Sequence, residues 1–334
     1  MHFIMLTCLG FAVAALPGSV SAAATPSGYP PPPAHDRVGT TGCGKPHTPG
    51  YHYRDTHGNF SIVSGTSTRY YAVQVSQGYN ARQPHPLIFD YHGNGDTSTE
   101  QHRNSQYYNY PASQKYVVIY PQGLNRSWEG PSYAVKGTDD LQFTTDLLAH
   151  VQAEYCVDPT RVYASGKSNG GGFVDTLACS DHGDSFAAFA MASAALYTDT
   201  NRTSCSKKRA ILETHGHNDT VISYAGGQGK GGPLPNVGKW VKWWGERNCG
   251  LDAKAQVTGD LGGYNITSYS CGGLENVTQH YHFAQLGHCW PNAFADNYDA
   301  IHLTSQNCSE VRVLDYTPVV LGFFGKWDLG NAPK

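Results

Sequence analysis

Charged side chains are scarce in this chain of 334 residues, where they make up only 15% of the sequence. Lys and Arg number 23 and Asp and Glu number 26, so the formal net charge is −3. No basic stripe or acidic tail stands out, which argues against a nucleic-acid partner or a strongly charged protein partner. Hydrophobic residues reach 40%, enough to build a sizeable core.

Long apolar runs are also scarce. Residues 4–16 form a short apolar run, and Val20-Ser21-Ala22 is similar to a signal-peptidase site. We therefore predict a signal peptide over residues 1–22, although Met1-His2-Phe3 lacks the usual basic residue. No other stretch is long and apolar enough to cross a bilayer, so we expect an exported protein without a membrane partner.

The rest of the chain shows one change of composition. Residues 23–42 are rich in proline, which predicts an extended lead-in rather than a folded unit. From residue 43 to residue 334 the turn residues are evenly spaced and no internal repeat is visible. We therefore predict one folded domain over residues 43–334, and we expect a monomer.

Cysteine pairs of the C-x-x-C type are missing, which argues against a structural zinc site. Eight cysteines remain after the signal peptide, an even number that predicts four disulfides in an exported chain, with 105 possible pairings. Our preferred partner for Cys289 is Cys249, because it ends a predicted helix. The eight are Cys43, Cys156, Cys179, Cys205, Cys249, Cys271, Cys289 and Cys308.

Metal ligands with credible spacing are missing as well, so we expect no metal or other cofactor and no inhibition by a chelator. Seven N-x-S/T sequons predict a glycoprotein if the source is eukaryotic. They begin at Asn59, Asn125, Asn201, Asn218, Asn265, Asn276 and Asn307.

Glycine is plentiful around one stretch, residues 161–173, which contains the G-x-S-x-G pattern Gly166-Lys167-Ser168-Asn169-Gly170. Residues 161–164 are typical of a strand, and residues 173–179 have helix-like spacing. Strand, tight turn and helix are the context of a nucleophile elbow, in which the serine hydroxyl is exposed on a strained turn. The pattern alone is weak, since a plain glycine-rich turn would look the same.

Strand-like and helix-like segments alternate along the chain. We predict strands over 70–75, 86–91, 116–120, 161–164, part of 185–196, 209–214 and 281–285, and helices over 139–155, 237–244 and from Thr317 onward, with Thr317 as the N-cap. Such alternation predicts an α/β fold with a mostly parallel central sheet covered by helices on both faces.

The residues that follow three of these strands predict a catalytic triad. In an α/β-hydrolase the nucleophile, acid and base come in the chain order Ser, Asp or Glu, His. Asp219 follows the 209–214 strand and His288 follows the 281–285 strand, so Ser168, Asp219 and His288 fit both order and context. Glu213 and Asp260 are weaker candidates for the acid, and His280 and His282 are weaker candidates for the base.

A serine nucleophile also needs an oxyanion hole, because the tetrahedral intermediate carries negative charge on oxygen. One donor is predicted to be the backbone N–H of Asn169, the residue after the nucleophile. The second is predicted to be the N–H of Asn94 in the sequence His92-Gly93-Asn94-Gly95, which follows the 86–91 strand. A plain β-turn would explain the Asn-Gly pair equally well.

Five blocks of sequence together resemble the carbohydrate-esterase group of the α/β-hydrolases, which contains feruloyl esterases, acetylxylan esterases and polyhydroxybutyrate-depolymerase-like esterases. The likeness is greatest to fungal feruloyl esterases. The blocks are Y-H-G-N-G at 91–95, V-I-Y-P-Q-G at 118–123 with Trp128, Y-C-V-D-P-T-R-V-Y-A-S-G-K-S-N-G-G-G at 155–172, H-G-H-N-D-T-V at 215–221 and G-H-C-W-P at 287–291.

The resemblance implies a secreted serine esterase that acts on plant cell-wall polysaccharide, with its triad on Ser168, Asp219 and His288. We rank release of ferulate first, acetylxylan deacetylation second and polyester cleavage third. Trp290, Trp128 and Tyr133 are candidates for an aromatic wall around a ferulate ring, although both tryptophans could equally be core residues. A non-catalytic carbohydrate-binding or adhesion module on the same fold is the alternative outside enzymes. The insertion at 225–236 matches no motif of the group.

Overall fold

The computed structural model describes residues 39–53 and 60–334. The predicted signal peptide, most of the proline-rich segment and the sequon at Asn59 lie outside the described residues. Within the described part of the chain, no helix has both the length and the apolar character needed to cross a membrane.

A large sheet forms the centre of the fold. Its strand order is β1-β3-β5-β4-β6-β7-β8-β13-β12-β11, with β2 paired to β3. The strands of this sheet are β1 Gly50–His52, β2 Ser61–Ser64, β3 Ser67–Val75, β4 His85–Tyr91, β5 Val117–Gln122, β6 Val157–Lys167, β7 Ala188–Ala192, β8 Ile211–Gly216, β11 Gln256–Val257, β12 Tyr264–Cys271 and β13 Leu274–Phe283.

The six central strands, from β5 to β13, run parallel, and the outer strands on both sides pair antiparallel. The carboxyl ends of parallel strands therefore meet at one edge of the sheet, where α/β folds place their ligands. Six α-helices accompany the sheet in the described chain. They are α1 Ser98–Ser105, α2 Asp140–Glu154, α3 Asn169–Ala178, α4 Val237–Cys249, α5 Tyr298–His302 and α6 Tyr316–Phe324.

Side chains alternate between two buried layers, one on each face of the sheet. In β4, Leu87 and Phe89 pack into the layer that holds residues of α2, α3 and α4, whereas Ile88 packs into the layer that holds residues of α6. This alternation is the period of two expected of a strand covered on both faces. The predicted α/β fold is therefore confirmed.

Most predicted elements are present with shifted bounds, but two details are wrong. The strand predicted at 281–285 is β13, which begins at Leu274 and ends at Phe283, because it pairs with both β12 and β8 over that length. The N-cap of α6 is Asp315 rather than Thr317, whose hydroxyl donates a hydrogen bond to the backbone oxygen of Ser105.

The 225–236 insertion forms a small hairpin of its own, from β9 Gly227–Gly229 and β10 Gly232–Leu234. Leu234 packs in a buried cluster with Ala195, Tyr197 and Ile222, and half-buried Tyr133 packs against it. We call these five residues the hairpin cluster.

The four predicted disulfides are confirmed, but the partner predicted for Cys289 is wrong. Cys249, at the end of α4, bonds to Cys271 at the end of β12, because α4 packs over the β12–β13 hairpin. Cys289 instead bonds to Cys308, 19 residues later. The other two pairs are Cys43–Cys156 and Cys179–Cys205.

Gly170 offers a test of this packing. A Cβ at this position would lie 2.2 Å from the backbone oxygen of Tyr91, so β4 and α3 can approach only where residue 170 lacks a side chain. We expect Gly170→Ala to lower the free energy of unfolding by about 1–3 kcal/mol, as overpacking does.

The control is Gly322→Ala in the exposed part of α6, where a Cβ would meet no atom within 4 Å. Because alanine favours a helix interior, this variant should be neutral or more stable by about 0.5–1 kcal/mol. Urea denaturation of both variants measures the difference. Equal midpoints for the two variants would contradict the close approach of β4 and α3.

Candidate functional site

Ser168 lies on the turn between β6 and α3, as the elbow motif predicts. Its backbone has φ 55° and ψ −121°, a combination that a residue with a side chain rarely adopts. The turn closes so tightly that a Cβ at Gly166 would lie 2.7 Å from the backbone of Gly170. The turn therefore requires the glycines of the motif. The strained backbone conformation of the turn falls on Ser168.

Asp219 lies on the turn that follows β8. One carboxylate oxygen accepts hydrogen bonds from the backbone N–H groups of Val221 and Ile222, both at 2.8 Å. The other accepts from Nδ1 of His288 at 2.8 Å. Burial raises the pKa of Asp219, but the charges and hydrogen bonds of His288 and His215 outweigh burial and hold this pKa well below its usual range. The carboxylate is therefore ionised and aimed at His288.

His288 lies on the loop after β13, and its position is fixed from two sides. Its backbone N–H donates to Oε1 of Gln306 at 3.0 Å, and Nε2 of Gln306 donates to Thr220 at 2.7 Å. Gln306 therefore joins the loop of the base to the loop of Asp219. Burial lowers the pKa of His288, and the bond to Asp219 opposes this shift only in part. At neutral pH the ring is the free base that proton abstraction requires.

A buried ion pair connects the serine turn to the histidine loop. Lys167, the residue before Ser168, donates to one carboxylate oxygen of Asp299 at 2.7 Å. The other oxygen of Asp299 accepts from the backbone N–H of Trp290, also at 2.7 Å. Asp299 therefore lies between the two segments and holds them at a fixed separation.

The structure joins Asp219 and His288 by a direct hydrogen bond. Ser168 is connected to the histidine loop through Lys167 and Asp299. Among the described residues, the hydroxyl of Ser168 makes no hydrogen bond to the ring of His288. Hydrogen bonds of this kind are often long without substrate and tighten in the substrate complex. The catalytic role of Ser168 stays a prediction.

The predicted oxyanion donors lie on either side of the elbow. Asn169 is the first residue of α3, so its N–H has no acceptor within the helix. Asn94 is exposed on the loop after β4, and no hydrogen bond joins its N–H to a described residue. A Cβ on Gly93 would lie 3.5 Å from Cβ of Ser168, so this loop passes beside the elbow. Both assignments stay predictions.

Trp128 and Trp290 are not available as a wall around a substrate, because each is at most 1% exposed. Trp128 instead joins the two segments that carry the predicted oxyanion donors. Its Nε1 donates to the backbone oxygen of His92 at 2.9 Å, and its backbone N–H donates to the side chain of Asn169 at 2.7 Å. Nε1 of Trp290 donates to Thr317 at 3.0 Å, beneath the loop of His288. The prediction of substrate contact is therefore wrong for both.

Tyr133, the third predicted substrate contact, lies at the hairpin cluster. Its ring meets that of Tyr197 edge-on, with centroids 6.2 Å apart. The cluster adjoins the site at two points: the N–H of Ala195 donates to the backbone oxygen of Ser168, and the N–H of Ile222 donates to Asp219. Contact of Tyr133 with a substrate stays a prediction.

The weaker candidates for acid and base have other partners. Glu213 accepts a hydrogen bond from Nδ1 of His280 at 2.6 Å, and its other oxygen lies 2.9 Å from Nδ1 of His215. The hydrogen-bond partners of Glu213 are therefore His280 and His215, and neither Glu213 nor His280 contacts His288. The ring of His282 stacks on Tyr224 at 4.1 Å. Asp260 is exposed and accepts from the N–H groups of Gly262 and Gly263. Asp219 and His288 are the pair that the structure joins.

Sequence reasoning missed four residues that hold this site: Lys167, His215, Asp299 and Gln306. Two of them stood in motifs already noted, Lys167 inside G-x-S-x-G and His215 inside H-G-H-N-D. A lysine between glycine and serine, flanked by strand, carries a charge into a buried turn and therefore requires a partner. For Asp299 and Gln306 the sequence carries no comparable signal.

One group of three possible metal ligands lies close together in the described chain: Asp175, Cys179 and Asp199. Cys179 is bonded to Cys205, and both carboxylate oxygens of Asp199 accept from Arg247. Cys179 and Asp199 are therefore already committed to a disulfide and an ion pair, so the group does not suit a metal site.

The described chain has the α/β-hydrolase fold, with Ser168 on the turn after β6 and with Asp219 bonded to His288. No family model matches the chain. A probable feruloyl esterase C of Aspergillus niger is 30% identical over 48% of this chain and 58% of its own length. Feruloyl esterase D of Neurospora crassa is 29% identical over 54% of this chain and 57% of its own length.

A third relative is a bifunctional acetylxylan esterase/xylanase of Neocallimastix patriciarum, 30% identical over 42% of this chain and 20% of its own length. The chain thus spans less than two thirds of the length of each of these relatives. The resemblance to the carbohydrate-esterase group, inferred from the motifs, is confirmed at the level of sequence similarity.

The Cys289–Cys308 bond is expected to position the base, because Cys289 directly follows His288 and Cys308 lies two residues after Gln306. Replacing both cysteines with serine removes a cross-link worth about 2–4 kcal/mol of stability. Since displacement of a catalytic group by 1 Å can cost about 100-fold in rate, we expect kcat to fall by at least about tenfold.

The control replaces Cys249 and Cys271, which close a loop of similar length away from His288. Both double variants are assayed well below their melting temperatures. If the Cys289/Cys308 variant folds and keeps the kcat of the wild type, that bond is structural only.

Proposed function

We propose that this protein is a serine esterase that releases ferulate, or a related hydroxycinnamate, from plant cell-wall polysaccharide. The observation that carries the proposal is the hydrogen bond from His288 to the ionised Asp219, beside a serine held on a strained strand-to-helix turn. The names of the relatives from Aspergillus niger and Neurospora crassa support an ester of ferulate as the substrate.

In the first half of the proposed reaction, Ser168 Oγ attacks the ester carbonyl while Nε2 of His288 takes the hydroxyl proton. Asp219 accepts the Nδ1–H of His288 and stabilises the imidazolium that forms. The tetrahedral intermediate collapses when the bond to the sugar oxygen breaks. His288 returns the proton to that oxygen, which leaves the acyl group on Ser168 and frees the polysaccharide.

In the second half, water attacks the acyl-enzyme and His288 takes a proton from the water. Breakdown of the second tetrahedral intermediate releases the free acid, and the proton returns to Ser168. Both intermediates carry a negative oxygen, which the N–H groups of Asn169 and Asn94 would stabilise. Loss of one such donor typically costs about 100- to 1,000-fold in kcat. No step requires a metal.

The acyl group is proposed to lie against the hairpin cluster. Half-buried Tyr133 offers aromatic carbon at this cluster, whose other residues are buried and whose Ile222 lies on the turn of Asp219. A flat cinnamoyl ring suits such a surface better than an acetyl group, which has little apolar area to bury. The hairpin cluster thus replaces Trp128 and Trp290 as the proposed wall around the ferulate ring.

Acetylxylan remains the second candidate substrate, because the relative from Neocallimastix patriciarum is named for that activity. A polyester is the third. Export of the protein is proposed from the signal-like N-terminus and is supported by four disulfides, which persist in oxidising surroundings.

The nucleophile is tested with Ser168→Ala. Since no other group in the proposed mechanism can form the acyl-enzyme, we expect kcat on an aryl acetate to fall by roughly 10⁶-fold, the loss seen for such a serine in subtilisin. The matched control is Ser206→Ala, an exposed serine remote from the site, which should keep the kcat of the wild type. A Ser168→Ala enzyme with a tenth of the activity of the wild type would disprove the mechanism.

The acyl preference is tested by comparing kcat/KM for methyl ferulate with that for acetylated xylan. We expect the wild type to prefer methyl ferulate. We also expect Tyr133→Ala to lower kcat/KM for methyl ferulate more than for the acetyl ester, because only the ferulate ring loses apolar contact with Tyr133. Preference for acetylated xylan in the wild type would favour the second candidate. No hydrolysis of either ester would favour a binding module.

A further inference from the structure

A second histidine, His215, also approaches the carboxylate of Asp219 that bonds to His288. His215 is buried at the end of β8, with Nε2 3.3 Å from the same carboxylate oxygen of Asp219 that accepts from His288. Its Nε2 also lies 2.8 Å from the backbone oxygen of Ile222, and its Nδ1 lies 2.9 Å from Oε1 of Glu213. Both ring nitrogens therefore face oxygen atoms.

Both ring nitrogens of His215 are placed to donate a hydrogen bond. The backbone oxygen of Ile222 can only accept, so Nε2 must donate to it. At Nδ1 the partner is the carboxylate of Glu213, whose other oxygen already accepts from His280 at 2.6 Å. With Glu213 ionised, as its lowered pKa indicates, Nδ1 of His215 also donates.

The charges are consistent with this assignment. Burial disfavours a charged His215, but its hydrogen bonds to Asp219 and Glu213 outweigh burial and raise the pKa of His215 to about 10. Burial raises the pKa of Glu213, yet the charges of His280 and His215 reverse the shift and lower that pKa. Two anions thus enclose one cation in a region without solvent.

We propose that His215 is a permanently protonated positioning residue for Asp219, and that it extends the triad into a buried chain of alternating rings and carboxylates. The chain runs from His288 through Asp219, His215 and Glu213 to His280. This inference rests on the proposed esterase function. His215 holds the Asp219 turn by bonding to Ile222, and its charge opposes a second positive charge on His288.

Other charged and titratable groups surround this series of rings and carboxylates and contribute to its electrostatics. On the side of the serine turn, Lys167 opposes the charge on His288 and Asp299 favours it. At the far end, the hydroxyl of Tyr224 meets Nε2 of His280 at 3.2 Å. The rings of His217 and His282 lie against Tyr224. None of these groups lies between His215 and Asp219.

The sign of the effect on pH dependence follows from the charges. The nitrogens of His215 and His288 that meet the shared oxygen lie at most about 6 Å apart, the sum of their two distances from it. A cation so close lowers the pKa of His288 and keeps it a free base to lower pH. Without that cation, the acid limb of kcat/KM should move upward, by about two pH units at an effective dielectric of about 20.

The proposal is tested with His215→Gln on an aryl ester. We expect kcat to fall by about 10- to 100-fold because Asp219 is less firmly held, KM to change less than about twofold, and the acid limb to rise by about two pH units. The control, His182→Gln, changes a histidine that binds Thr145 away from the site and should keep the profile of the wild type. A role in stability alone would lower the melting temperature without moving the acid limb.

Glu213→Gln serves as the second variant, since glutamine has the shape of glutamate but removes one of the two negative charges beside His215. While His215 stays protonated, loss of this anion lowers the pKa of His288, so the acid limb should move in the opposite direction by a smaller amount. The proposal is overturned if both variants fold and retain the acid limb of the wild type.

The charge of His215 is also measured without activity, by ¹⁵N NMR of the protein labelled at histidine and assigned with His215→Gln. Both nitrogens of His215 should remain protonated from pH 6 to pH 8, and a neutral ring at pH 7 would overturn the proposal. If the wild type hydrolyses no ester, the proposed function fails while this spectrum still decides the charge of His215.

Discussion

The ion pair between Lys167 and Asp299 is the interaction on which the site depends. It is buried on both sides, and it joins the residue before the serine to the backbone of Trp290, two residues after His288. Removing one partner of such a pair typically costs about 3–5 kcal/mol, because it leaves a buried charge alone. The pair therefore fixes the distance between the serine turn and the histidine loop, which come from strands separated by β7 and β8.

A chain with few charges thus concentrates several of them behind one edge of its sheet. Asp219, His215 and Glu213 lie side by side, and the charges of Lys167 and Asp299 also act on His288. Such charges are costly to bury unless each is paired and hydrogen-bonded. Here every one has a partner of opposite charge, so the cost is offset and the groups are held rigidly where the proposed chemistry takes place.

Patterns local in sequence predicted well what is local in the structure, including the strands, the elbow and the order of the three site residues. Contacts between distant segments were not predictable. The partner of Cys289 depends on whether the Cys249 helix end or the Cys308 loop lies beside it in the fold. Trp128 and Trp290 were misjudged for the same reason, since a tryptophan beside a site motif can face the substrate or pack beneath the loop.

The central claim is that Ser168 is the one activated nucleophile of this chain. The most direct measurement is labelling with a fluorophosphonate, which reacts with a serine only when an adjacent base has activated it, followed by mass spectrometry of the digested protein. We predict one adduct per chain, on the peptide that contains Ser168, and no adduct after His288→Ala. An adduct on another residue, or an unlabelled wild-type protein, would contradict it.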